Sequence, residues 1–251
     1  MKKNTNRFTL YKRSDDDRFF AQIERKNGQP VAITDQTYAD LGDLLEAVFA
    51  FKREAEAAPI NDRTDGGPGQ VAAYEFEVIA AASSDCEADD CEGFLWRFQG
   101  PNHRTLFVSA PDRFRDACAA ERAAEATKRF ADACIVDETG DPVDVEYYAG
   151  TGQPAPFGAK YKIRVDREKV IVDEPTPTGR EILRAADRTP VSQWQLYQKF
   201  RGGQTKAVGL DETTDLTCVG VERFQAIELT VTDGADSNTT RAANQKVQSD
   251  G

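Results

Sequence analysis

The chain is poor in the residues that build most catalytic and metal centres. Its 251 residues include only five cysteines and one histidine. Cys86 and Cys91 lie in the acidic stretch DCEADDC, where a zinc site would need a second close pair and histidine. Cys118 and Cys134 are predicted on or near one helix, sixteen residues apart, and Cys218 stands alone. We therefore predict no metal site.

The single histidine also gives no sign of catalysis. His103 follows a Gly-Pro-Asn turn, and no motif places a serine or cysteine nucleophile beside it. We therefore expect that the chain is not an enzyme, has no catalytic residue and needs no cofactor.

Long apolar runs are missing as well. No stretch approaches the ~20 apolar residues that a membrane helix needs, and residues 1–4 (MKKN) lack an apolar signal region. We expect a cytoplasmic protein without a membrane partner. The formal net charge of −11 argues against nucleic-acid binding, because neutralising phosphates requires clustered Lys and Arg. It suits a chain that meets basic surfaces on partner proteins.

Two segments rich in glycine and proline, 58–70 and 149–158, divide the chain into three blocks. Both are predicted to be linkers that continue no strand or helix. The polar end of the chain is predicted to be a disordered, flexible tail. The predicted domains are a first module at 1–58, a linker at 59–70, a second module at 71–148, a linker at 149–159, a third domain at 160–234 and the tail at 235–251.

The first two blocks follow one plan of three antiparallel strands and a helix. The first block has predicted strands at 8–12, 18–24 and 30–34, then a helix from about Tyr38 to Ala57. The second has predicted strands at 74–80, 94–100 and 105–109, then a helix from about Pro111 to Cys134. An acidic insertion at 83–92 interrupts the second block. Each block is therefore expected to be a small α+β module.

The third block carries the most informative pattern. Tyr161, Ile163 and Val165 alternate with polar residues, and a turn at 166–168 leads to the apolar run 170–172. Thr178 and Glu181 form a capping box for a short helix. Further strands are predicted at 194–200, at 205–208 and from about Val219 to about Val231. Strand, strand, helix and three further strands is the order of the β-grasp fold, so the chain as a whole is predicted to be α+β.

The residues of these blocks resemble two known families. YKIRVDREKVIVDEPTPTGREIL, WQLYQKFRGG and the VGVERF run resemble the bacterial multi-ubiquitin (ubiquitin-like) domain over residues 160 to about 234. FTLYK, RFFAQIERKNGQPVAIT and the helix after Tyr38 resemble the YegP-like family. FLWRFQG and the strand and helix after it resemble that family more loosely. The YegP-like resemblance implies a fold and no catalytic residue.

The multi-ubiquitin resemblance implies a protein modifier. In such systems an activating enzyme uses ATP to adenylate a terminal carboxylate, which passes to a cysteine as a thioester. Glycine is required there because a Cβ would collide in the narrow channel that leads to the nucleotide. Gly234, at the end of TVTDG, and Gly251, the last residue, both qualify. Neither forms the double glycine of ubiquitin.

An arginine-glycine-glycine sequence at 201–203 looks like the ubiquitin terminus but is in another place. Forty-eight residues follow Gly203, including a strand that the fold needs. Gly202 and Gly203 are therefore predicted to form a hairpin turn.

The resemblance also implies partners. These are an activating enzyme, a conjugating enzyme, a JAB-type metallopeptidase and target proteins, in systems some of which resemble antiviral defence. Two alternatives stay open. The chain could be an adaptor that recruits the same enzymes without being conjugated, or a sulfur carrier, against which the fused modules and the missing double glycine argue.

One strand of the third block offers a candidate contact surface. Three residues of WQLYQKF are predicted to face the helix, namely Trp194, Leu196 and Phe200. Gln195, Tyr197 and Lys199 then point outward as a candidate partner-binding face. Tyr197 is its one exposed aromatic residue, a type enriched at interface centres. The alternative is an ordinary surface tyrosine that is partly covered.

Overall fold

The computed structural model describes residues 5–65, 73–81, 93–110 and 113–229, which form two β-sheets with helices. This architecture confirms the predicted α+β class. Several predicted features lie outside the described residues: Cys86 and Cys91 of the acidic insertion, part of the first linker, Gly234, Gly251 and the tail at 235–251.

The first sheet has eight strands that come from two similar units. The first unit contributes β1 (Arg7–Lys12), β2 (Phe19–Glu24), β3 (Pro30–Thr34), α1 (Leu41–Glu54) and β4 (Ile60–Asp62). The second unit contributes β5 (Glu75–Ala80), β6 (Phe94–Gly100), β7 (Arg104–Ser109), α2 (Ala117–Lys128) and β8 (Cys134–Asp137). The three strands predicted in each block are confirmed.

The two units share one continuous sheet because β3 pairs antiparallel with β7. The strand order is β4-β5-β6-β7-β3-β2-β1-β8. The strand that follows each helix crosses to the other unit, since β4 pairs in parallel with β5 and β8 pairs in parallel with β1. Each unit therefore completes the outer edge of the other.

Phe51 of α1 joins the two units in one hydrophobic core. Its side chain is fully buried. Its ring centroid lies 4.9 Å from that of Phe98, 5.3 Å from that of Phe107 and 5.6 Å from that of Phe8. Because Phe8 belongs to the first unit and the other two belong to the second, the helix of one unit packs on strands of both.

Both long helices are shorter than predicted. Asp40 caps α1 by accepting a hydrogen bond from the Gly42 N–H, so the helix starts at Leu41 and not at Tyr38. The Asp116 side chain caps α2 in the same way. Residue 114 pairs instead with residue 94, and Cys134 opens β8 beside β1. The predicted helix from Pro111 to Cys134 is therefore wrong at both ends, because alanine-rich periodicity does not show where tertiary pairing begins.

Secondary structure also occurs where linkers were expected. β4 lies in the first Gly- and Pro-rich segment, and α3 (Val145–Thr151) reaches into the second, directly after β9 (Val143–Asp144). The expectation that neither segment continues a strand or helix is therefore wrong. β4 and β9 have two or three residues each and exist through their pairing with other strands. The domain boundaries themselves stay a prediction.

The second sheet has the predicted β-grasp order. Its elements are β10 (Tyr161–Val165), β11 (Glu168–Val172), α4 (Gly179–Ala185), β12 (Trp194–Phe200), β13 (Thr205–Val208) and β14 (Val221–Glu228). The strands lie in the order β11-β10-β14-β12-β13, with β10 and β14 parallel. The predicted capping box is confirmed, because Thr178 Oγ1 accepts from the Glu181 N–H and the Glu181 carboxylate accepts from the Thr178 N–H.

Candidate interaction surface

The two faces of β12 differ as the sequence predicts. Leu196 and Gln198 are buried, and Trp194 and Phe200 pack against the core. The three side chains that alternate with them lie on the other face and are half-buried: Gln195, Tyr197 and Lys199. The geometry thus places the predicted contact residues together on one surface. Their role in binding a partner stays a prediction.

Strand pairing defines the neighbours of these residues. Gln195 lies opposite Ile227 of β14. Tyr197 lies between Gln225 of β14 and Ala207 of β13. Lys199 lies between Arg223 and Thr205 in the same way. We call these eight residues the β12–β14 face.

Ile227 enlarges the apolar part of the β12–β14 face. It is 45% exposed, although it lies in the middle of a sheet. Isoleucine beside a tyrosine at the centre of an accessible strand surface is typical of a protein contact site. Ile227 was not predicted as a contact residue. Because Phe224 and Ala226 in the sequence VERFQAIE face the core, the two-residue period of a strand would have indicated that Ile227 points outward.

Basic side chains flank this apolar centre. Lys199 has no ion pair within the described part of the chain, and Arg223 lies 4.0 Å from Glu222, its own sequence neighbour. Basic residues are in the minority in a chain with 43 acidic and 32 basic residues. The β12–β14 face therefore suits a partner surface that is apolar at its centre and acidic at its rim.

α3 packs against the same sheet. β11 pairs with β10 along its whole length, so β9 must use the other edge of β10, beside β14. The helix that follows β9 packs against both β10 and β14. Asp144 pairs with Lys162 at 2.7 Å, and Glu146 pairs with Arg164 at 3.1 Å. Two outward-facing cations of β10 are thus already engaged by the chain itself.

These ion pairs affect the pKa of the Asp144 carboxyl. Burial acts to raise the pKa of its carboxyl, but the hydrogen bond and charge of Lys162 and the charge of Lys169 together hold that pKa below its ordinary value. Asp144 is therefore ionised at neutral pH. Its side chain also accepts a hydrogen bond from the Tyr147 N–H, so it caps α3.

The arginine-glycine-glycine sequence forms the hairpin turn between β12 and β13, as predicted. Gly202 and Gly203 have φ values of 93° and 87°, a region that favours glycine. Arg201 donates to the Ala149 and Gly150 carbonyl oxygens at 3.3 and 2.7 Å. These carbonyls end α3, so the arginine also neutralises the negative end of that helix.

Sequence reasoning missed α3, although both its ends carry local signals. Asp144 is an N-cap residue, and Gly152 ends the helix with φ of 74°, in the left-handed region. The short span between them fell inside a segment interpreted as a linker because of its glycines and prolines. The cap residues Asp144 and Gly152 would have indicated the start and the end of this helix.

The two candidate glycines lie outside the described residues, but the strand before them is described. β14 ends at Glu228, and Leu229 is 49% exposed. Gly234 follows six residues after Glu228, and Gly251 follows much later.

Within the described residues, no cluster of His, Cys, Asp and Glu side chains has the arrangement of a metal site. Three cysteines there are free: Cys118, Cys134 and Cys218. No described helix is long and apolar enough to cross a membrane.

Comparison with known proteins identifies the second sheet. The family model described as Multiubiquitin matches residues 161–228, which confirms the predicted resemblance of this segment. No curated protein matches the chain.

Two solved structures are similar to the chain. One is a UPF0339 protein from Shewanella oneidensis, with 15% identity and a TM-score of 0.37 over 54% of this chain and 92% of that protein. The other is YegP from E. coli, a protein of unknown function, with 16% identity and a TM-score of 0.38 over 55% of this chain and 96% of that protein. The second carries the name of the family that the first two blocks were predicted to resemble.

Proposed function

We propose that this chain is a bacterial ubiquitin-like protein modifier, activated at a C-terminal glycine and conjugated to target proteins. The observation that carries the proposal is a multiubiquitin-type β-grasp domain whose last strand ends shortly before a glycine. The partners are an ATP-dependent activating enzyme, a conjugating enzyme, a JAB-type metallopeptidase and the targets, in the cytoplasm and in antiviral defence. ATP and the catalytic cysteine belong to those enzymes, so this chain is not the catalyst.

The position of β14 favours Gly234 as the activated residue. Gly234 lies six positions after Glu228, and six extended residues span at most about 22 Å. That length carries a carboxylate away from the domain and into a narrow enzyme channel. Gly251 would place the carboxylate at the end of a much longer tail. Use of Gly234 requires that the peptidase first remove Ala235 to Gly251.

The β12–β14 face supplies the recognition surface in this proposal. Tyr197 and Ile227 provide apolar contact area, while Lys199 and Arg223 select acidic partner side chains. The face contains neither candidate glycine, so partner binding and activation are tested by different variants.

The direct experiment co-expresses the chain with the activating and conjugating enzymes of its gene neighbourhood. We compare the wild type with Gly234→Ala and Gly251→Ala and detect covalent conjugates on denaturing gels and by mass spectrometry. We expect conjugates that survive reducing agent for the wild type and Gly251→Ala, and none for Gly234→Ala. If conjugates are lost only in Gly251→Ala, Gly251 is the activated residue and not Gly234. Conjugates that persist in the double variant would contradict activation at either glycine.

A non-conjugated adaptor is the second candidate, because the β12–β14 face needs no glycine to bind the pathway enzymes. For an adaptor, Tyr197→Arg and Ile227→Arg abolish enzyme binding, whereas the glycine variants keep every function. Glu168→Gln on edge strand β11 is the matched control on the same sheet. The third candidate, a sulfur carrier, predicts a thiocarboxylate at the glycine, which intact mass detects.

A further inference from the structure

A cleft of about 340 Å³ lies between the eight-stranded sheet and the β-grasp domain. Val136 and Phe157 form part of its wall on one side, and Tyr161 and Pro175 form part of it on the other. Three acidic residues also line it: Asp137, Glu138 and Asp173. The volume is at the small end of the range for ligand sites, which suits a small molecule or a single side chain.

Asp137 is an unusual residue in this cleft because it is charged, buried and without a basic partner. It is 7% exposed. Its Oδ1 atom accepts hydrogen bonds from the Thr139 N–H at 2.9 Å and from the Thr139 hydroxyl at 2.6 Å. Its Oδ2 atom has no hydrogen-bond or ion-pair partner among the residues that the structure describes, and it is not fully buried, so it can be reached from the cleft.

The surroundings of Asp137 increase the cost of its charge. Burial is the main cause that raises the pKa of its carboxyl. The two hydrogen bonds from Thr139 act to lower that pKa, and the nearby Asp141 and Glu138 act to raise it. The hydroxyl of Tyr148, on α3, is buried and has no hydrogen-bond partner in the described residues. Buried charges are normally paired, because an unpaired one loses its hydration without compensation. A largely buried carboxylate that lines a cleft and has no basic partner is a candidate functional site.

The walls decide which cation could pair with Asp137. Hard divalent cations take six or more oxygen ligands, and apolar side chains such as Val136, Phe157 and Pro175 do not supply them. An organic cation with an aliphatic stem fits both parts of the cleft. Its ammonium group would meet the carboxylate while its methylene groups contact the walls.

We propose that this cleft binds an alkylammonium group, with Asp137 as the buried counter-ion and Glu138 and Asp173 as acidic residues at the entrance. Such a group is present on a lysine side chain of another protein and on a free polyamine. The lining of the cleft contains no residue of the β12–β14 face and neither candidate glycine. It therefore adds a binding activity that the modifier proposal neither needs nor supplies.

The test is an NMR titration of the ¹⁵N-labelled full chain, followed at the amides of Thr139, Gly158 and Ala159. The probe is n-butylamine at neutral pH, where it is a cation, and 1-butanol is its neutral counterpart. We expect saturable shifts of these amides with butylamine and none with butanol. In Asp137→Asn, the apparent Kd for butylamine should increase about tenfold or more, because a charged hydrogen bond is lost. Glu56→Gln, at an exposed residue that follows α1 and does not line the cleft, is the charge-matched control and should bind like the wild type.

Further variants and probes make the outcome decisive. Asp137→Asn keeps the oxygen that accepts from Thr139, so the variant should fold, and Asp173→Asn at the exposed rim should weaken binding by a smaller factor. Equal shifts with butanol, or unchanged affinity in Asp137→Asn, would overturn the proposal. Cadaverine and Nα-acetyl-lysine amide, which keeps its side-chain ammonium group, distinguish a free polyamine from a protein lysine. Tighter binding of cadaverine supports a free polyamine, and tighter binding of the lysine derivative supports a protein side chain.

Discussion

Removing the charge of Asp137 should stabilise the protein at neutral pH, although it changes a buried polar residue. Asparagine has nearly the same shape and keeps the oxygen that accepts both hydrogen bonds from Thr139. It removes a carboxylate charge that is 7% exposed and has no basic partner within the described ranges. The substitution Asp137→Asn therefore removes a cost of folding and preserves the local hydrogen bonds.

The size of the effect follows from the pKa of the carboxyl. Each unit by which folding raises that pKa corresponds to about 1.4 kcal/mol. Mutational data place the cost of a buried polar group without its partner at about 1–3 kcal/mol. We expect a gain in unfolding free energy within that range at pH 7, toward its lower end, because the new amide N–H groups also lack a partner. For a chain of this size, each kcal/mol raises Tm by about 2–4 °C.

The pH dependence distinguishes this cause from better packing. A carboxyl whose pKa is raised in the folded state contributes stability that is fully present below its unfolded pKa of about 3.9. That contribution is lost as the pH rises through the folded pKa. Wild-type Asp137 therefore loses stability over this interval, and Asp137→Asn does not. The difference between the two proteins should be small near pH 4 and largest at pH 7.

The assay is urea unfolding of both proteins between pH 4 and pH 8. The other groups near Asp137 are Glu138 and Asp141 on its own loop, Tyr148 on α3 and Tyr161 on β10. These residues are the same in both proteins, so their contributions to stability largely cancel in the difference. A variant that is less stable than the wild type at pH 7, or a difference that does not change with pH, would refute this account of Asp137.

Three further substitutions test the fold. Phe51→Ala should lower the unfolding free energy by about 3–5 kcal/mol, because it empties the aromatic contact between the two units; a loss below about 1 kcal/mol in urea unfolding would contradict that role. Thr178→Ala should cost about 1 kcal/mol through loss of the capping box, whereas Thr176→Ala, exposed and two residues earlier, should be neutral by the same assay. Arg201→Gln should accelerate hydrogen exchange of the α3 amides and leave exchange in α4 unchanged, because it removes the hydrogen bonds to the end of α3. Arg223→Gln is the control. Equal exchange of the α3 amides in both variants would show that Arg201 does not stabilise α3.

Local patterns predicted the parts of the fold that depend on neighbouring residues. The three predicted strands of each unit follow from their alternation and hairpin turns, and the capping box marks the start of α4. The outward side of β12 follows from the two-residue period of a strand. These features need no knowledge of distant segments, so the sequence was sufficient for them.

Features that depend on pairing with distant segments could not be predicted from local sequence patterns. β4 and β8 are short strands that exist because each finds an edge in the opposite unit, more than ten residues away in the sequence. β9 is also a short strand, and it exists through its pairing with β10. The cleft around Asp137 also combines residues of β8 with residues of the β-grasp domain, and nothing in the local sequence DETG shows that burial.

The intact mass of the protein, purified from cells that express it with its native gene neighbours, tests the modifier proposal most directly. The account predicts a species that ends at Gly234 after loss of Ala235 to Gly251, together with heavier species in which this chain is attached to another protein. A single unmodified species ending at Gly251, which also forms no thioester when the activating enzyme and ATP are added, would contradict it.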